Sequence, residues 1–66
     1  MLSFVDLCCA AHLMMHEYGD NAEREAARYA DRMLAQGDRD GLLAWFGIGR
    51  TIALMRYQAF TARLPN

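Results

Sequence analysis

Two glycine-aspartate breaks constrain this chain more than any other feature. Gly19-Asp20-Asn21 is one, and Gly37-Asp38-Arg39-Asp40-Gly41 is the other. Each reads as a helix ending on glycine, followed by an Asp or Asn cap for the next helix. Asp20 with Glu23, and more weakly Ser3 with Asp6, have the three-residue spacing of a capping box. No stretch alternates apolar and polar residues with period two, so no strand is expected. The expectation is an all-α fold: a three-helix arrangement with a long C-terminal helix, in one domain spanning residues 1–66.

The first helix is expected over residues 4–18. At 100° per residue, Phe4, Leu7, Cys8, Ala11, Met14, Met15 and Tyr18 share one arc and form its core face. A second arc carries Leu2, Val5, Cys9, His12, Leu13 and His16. A helix apolar on two sides is central in its fold or packs on another chain. The second helix, over 21–36, turns Ala22, Ala26, Tyr29, Ala30, Met33 and Leu34 inward. Its outer strip holds Arg24, Glu25, Arg28, Asp31, Arg32 and Gln36, with Glu25–Arg28 and Arg28–Asp31 spaced for ion pairs. The third helix, over 40–62, places Leu42, Trp45, Ile48, Gly49, Ile52, Met55, Ala59 and Phe60 on one broad face. It is longer than its neighbours, so its far end, with Phe60 and Leu64, is expected to overhang. Gly47 and Gly49 inside it mark a kink or a close backbone approach, because interior glycine costs about 1 kcal/mol against alanine. Tyr29 and Trp45 are expected as core anchors with their polar tips near the edge.

Here composition enters. The chain has 66 residues, and 55% are hydrophobic. A domain this small buries only about 60% of the surface its unfolded chain exposes, and needs a disulfide, a metal or a partner as support. The two cysteines, Cys8 and Cys9, are adjacent and diverge on a helix, so they read as reduced thiols of a cytosolic protein. Association is then the expected support, as a homo-oligomer or with another protein. Leu2, Val5, Cys9, His12, Leu13, His16 and Phe60 are the expected contact residues.

Charge is uneven. Residues 1–40 carry four Arg against eight acids, and residues 41–66 carry Arg50, Arg56 and Arg63 with no acid. All seven basic residues are Arg, which favours forked pairing with carboxylates. Pairing between the halves is one reading; a nucleic-acid-associated regulator using the Arg-bearing C-terminal helix is the alternative. The overall charge of −1 and the lack of one Arg stripe count against nucleic acid. The apolar start lacks a positive region before Asp6 and is interrupted by it, unlike a targeting signal. The one candidate membrane span contains Asp6, His12, His16 and Glu17, so no membrane contact is expected, and a cytoplasmic location is.

Chemistry-bearing patterns are few. His12 and His16 lie four apart with Cys9 on the same side, a spacing that can share a metal. Leu13 stands where a zincin would have its glutamate, and no distant Cys or His completes the set. A metal or ligand sensor at Cys9, His12 and His16 is therefore a third reading, below association. Cys8 with His12 is a poor nucleophile-base pair because both project from one helix in parallel. Gly47-Ile48-Gly49-Arg50-Thr51 lacks the lysine and the preceding strand of a phosphate loop. No catalytic residue, metal or cofactor is assigned, and a non-enzymatic module is expected.

The breaks and the third helix also resemble a group of small alphaproteobacterial helical proteins of uncharacterised function. Their pattern is a His-Gly-Asp-like turn, an Ala-rich helix, a Gly-Asp-x-x-Gly turn, then Trp with spaced Ile and Leu. The matching residues are His16, Gly19, Asp20, Ala22, Ala27, Ala30, Asp31, Leu34, Gly37, Asp38, Gly41, Trp45, Ile48, Ile52 and Met55, within residues 10–56. This chain departs from the pattern at Phe46, Gly47 and Gly49, where polar helix formers are usual. The resemblance implies a small bacterial cytoplasmic helical protein and assigns no catalytic residue.

Overall fold

The computed structural model describes residues 2–65. All regular structure among them is helical: α1 (Phe4–Tyr18), a 3-10 turn (Gly19–Asn21), α2 (Ala22–Ala35) and α3 (Arg39–Ala62). The all-α class stands. The expectation of three helices set apart by two breaks changes in one respect. The 3-10 turn joins α1 directly to α2, with the chain reversing at Gly19, so helical structure falls in two stretches without an internal loop, residues 4–35 and 39–62. Only the second break leaves a loop.

The two breaks differ for a physical reason. At the second, Gly37 adopts a positive φ of 73°. The Gly37 amide then donates to the Leu34 carbonyl, and the Asp38 amide to the Met33 carbonyl. That is a Schellman ending, which stops a helix and reverses the chain. The Asp38 carboxylate restarts it by accepting from the Gly41 amide at 2.8 Å. At the first break Gly19 also has a positive φ, 55°, but no side chain caps α2. The expected Asp20–Glu23 capping box is absent. Both carboxylates turn instead to Arg56, 3.7 Å from Asp20 and 2.9 Å from Glu23. The capping box that does form is the one at the start: Ser3 Oγ accepts from the Asp6 amide, and Asp6 Oδ2 from the Ser3 amide, each at 3.2 Å.

Arg56 also donates to the Gly19 carbonyl, fixing the 3-10 turn against the second half of α3. From that point the two arms run back along α3. Leu7 of α1 lies against Gly47, Ala26 of α2 against Gly49, and Met33 against Gly41. α1 therefore runs in the general sense of α3, and α2 runs against it. Ala11, Met14, Ala22, Ala26, Ile48 and Ile52 form the buried core, with Leu7, Ala10, Met15, Tyr29, Trp45 and Met55 packed around it. Tyr29 stacks on Trp45 with ring centroids 4.4 Å apart, and Arg32 lies over the Tyr29 ring. Ala30 is buried as well, so with Ala11, Ala22 and Ala26 four buried positions are alanines; α2 approaches α3 closely and large side chains find little interior to fill.

Several expected core positions lie outside it. Phe4 is 76% exposed at the start of α1. Leu34 is exposed where α2 ends, and Ala59 and Phe60 where α3 passes the turn. The glycines of α3 mark close approach and no break, since the helix is continuous through them. A β-carbon at Gly47 would sit 3.1 Å from the Leu7 side chain, but one at Gly49 would sit 3.6 Å from the Ala26 β-carbon, an ordinary contact. Gly49→Ala is therefore expected to raise stability by about 1 kcal/mol through helix propensity, read as a higher midpoint in urea. Gly47→Ala should gain less, because Leu7 must shift.

Candidate interaction surface

α1 meets the rest of the fold with one face only. Ala11 and Met14 are buried on it, and Leu7, Cys8, Ala10 and Met15 partly so. The opposite face is free. Leu2, Val5, Cys9, His12, Leu13 and His16 are all exposed, Val5 at 67% and Leu13 at 65%. The second arc expected from the sequence is thus outward for Val5, Cys9, His12, Leu13 and His16, whereas Leu2 precedes the helix and lines the groove against the start of α3. Phe60 is exposed at 61% but stands apart, near the end of α3.

The alternative readings meet a different geometry. Arg56 is committed internally to Glu23, Asp20 and the Gly19 carbonyl, so only Arg50 and Arg63 of the three stand free in solvent. The Arg56 Nε–Glu23 contact is an ion contact and not a well-directed hydrogen bond. It pairs the basic half of the chain with the acidic one. On α2 the Glu25–Arg28 pair forms at 3.0 Å on the surface. Among the described residues no group of three or more His, Cys, Asp or Glu is arranged to hold a metal ion. Cys9, His12 and His16 share a face without converging. The neighbouring Tyr29 hydroxyl, by polar interaction with the neutral phenol and then by the negative charge it would carry, holds the Tyr18 phenol above the usual tyrosine value. That places its titration well above neutral pH, where it provides no physiological switch.

An open groove of roughly 750 Å³ lies where the start of α1 meets the start of α3, between Leu2, Leu7, Leu43 and Gly47, with Asp38 and Asp40 at its mouth. It is mainly apolar; the two aspartates are its only polar side chains, and no Ser, Cys or His lines it. Leu43, Phe46, Leu54 and Tyr57 of α3 are exposed at 52–65%. Reading a single apolar face on α3 passes over these four. Their signal is a second stripe of three- and four-residue spacings on the far side of the helix from Ile48 and Ile52. No helix among the described residues is long and apolar enough to cross a membrane. Comparison of the chain with family models, curated proteins and solved structures finds no match to any of them.

Proposed function

We propose that the chain is a non-enzymatic interaction module: a small three-helix arrangement that associates with itself and with another protein, as an accessory or regulatory subunit of the bacterial cytoplasm. The observation that carries this is the outward face of α1, where Val5 and Leu13 are exposed beside Cys9, His12 and His16. Single exposed apolar residues are ordinary on a protein surface, but a contiguous patch marks an interaction site. The interleaved histidines suit a partner of mixed polarity, because imidazole offers both a donor and an acceptor. The resemblance to small alphaproteobacterial helical proteins supports the same setting.

The test is capture of host proteins on immobilised chain, compared with a Val5→Glu, Leu13→Glu variant. Both side chains are exposed, so the variant should keep its helical circular dichroism. The expected result is a defined protein retained by the wild type and lost from the variant. Identical capture by both, or none by either, overturns the reading.

A further inference from the structure

The outer stripe of α3 has a stricter pattern than the face of α1. Leu43, Phe46, Arg50, Ala53, Tyr57 and Phe60 follow one another at intervals of three, four, three, four and three. That is the 3.5-residue repeat of a coiled-coil seam. All six are exposed, and the four large apolar ones are 59–65% so. α1 covers α3 on one flank, with Leu7 at Gly47, and α2 covers the other, with Ala26 at Gly49. The stripe lies across the helix from the buried Ile48 and Ile52, with Leu43 bordering the groove beside Leu7 of α1 and Phe46 and Arg50 bordering Ala27 and Asp31 of α2.

We infer that this stripe is the contact between two copies of the chain, with their α3 helices packed antiparallel. The inference deepens the association reading above and rests on it: α3 holds the second copy, and α1 remains free for the other partner.

Three observations single out a second copy. The first is self-complementarity. An antiparallel alignment that overlaps nearly the whole of both helices sets Leu43 against the partner's Phe60 and Phe46 against the partner's Tyr57. It also sets Arg50 against the partner's Ala53, so the longest side chain meets the smallest. A parallel alignment stacks Arg50 on the partner's Arg50. The second is charge. The start of α3 is flanked by Asp38 and Asp40, and no acid follows, while Arg63 lies at its end. Antiparallel packing brings the acidic start beside the basic end and opposes the helix dipoles, whereas parallel packing sets like beside like. The third is area. At the observed exposures, the stripe with the adjoining Leu54 offers about 650 Å² per chain, using ordinary side-chain sizes. Complete burial in two copies would reach about 1,300 Å², the low end of specific interfaces.

The test joins one distance to one mass. Ala62 is exposed at the end of α3. A spin label at Ala62→Cys, with Cys8→Ser and Cys9→Ser, should give a dipolar distance above about 30 Å, since the labels lie at opposite ends of the seam. Phe46→Glu with Tyr57→Glu should abolish that distance and yield monomer with helical content unchanged. A distance near about 20 Å indicates parallel helices and overturns the proposal. So does absence of dipolar coupling in the labelled chain, or a dimer that survives both glutamates. If the seam fails while capture still depends on Val5 and Leu13, the association reading stands without it. If both fail, the chain is not an association module.

Discussion

Ile52→Ala is expected to remove most of the stability of this fold. Ile52 is fully buried and is the largest side chain that is. Truncating a buried isoleucine costs about 2–5 kcal/mol, the upper part applying where the surroundings cannot collapse into the space. Around Ile52 they cannot readily do so, because Ala11, Ala22 and Ala26 line the core with short side chains on helical backbone. The total stability available to a domain of this length is about 3–10 kcal/mol. One substitution therefore takes a large fraction of it. Urea unfolding followed by circular dichroism, at fixed protein concentration, should show a midpoint near zero denaturant for Ile52→Ala. Ile52→Val should lose only about 0.5–1.5 kcal/mol. A loss below about 1 kcal/mol for the alanine variant would mean that the core lies elsewhere.

The second large effect runs the other way in volume. Ala26 is fully buried where α2 crosses α3, with its β-carbon 3.6 Å from where a β-carbon of Gly49 would be. Leucine at that position cannot be accepted without separating the helices, so Ala26→Leu is expected to cost about 3 kcal/mol, at the upper end of overpacking effects. Ala27→Leu, one residue along and exposed, should leave the midpoint almost unchanged. Equal effects at 26 and 27 would show that the α2–α3 contact is loose.

These two residues mark how the local code reads. Helix boundaries are legible because each rests on short-range chemistry: Ser3 with Asp6, Gly37 with its Schellman bonds, Asp38 with Gly41. The three alanines of α2 likewise announce a close crossing. What the local code misses is tertiary. Asp20 and Glu23 have capping-box spacing, but a guanidinium from residue 56 outcompetes the two backbone amides for them. Phe4 and Leu34 have core phase in the end turns of their helices, yet are 76% and 63% exposed, and helical phase alone does not tell which terminal side chains a neighbouring helix covers. The outward face of α1 is legible because α1 is short and its two arcs are distinct. The α3 seam hides in a helix so apolar that one broad face absorbs most of its spacings. Exposure separates the two stripes, and the 3.5-residue spacing then identifies the second.

The same division explains why this composition suits a chain of 66 residues. A core built largely from alanine, two isoleucines and a methionine is small, and twelve large apolar side chains remain at least one-third exposed. A partner that covers part of that surface adds stability by mass action. On the proposed association, covering that surface is as much a part of the fold as burying Ile52.

Sedimentation equilibrium of the unmodified chain across a wide concentration range tests this most directly. The expected result is a mass of about twice 7.5 kDa at high concentration, falling toward the single chain on dilution. A mass of 7.5 kDa at every concentration would contradict it.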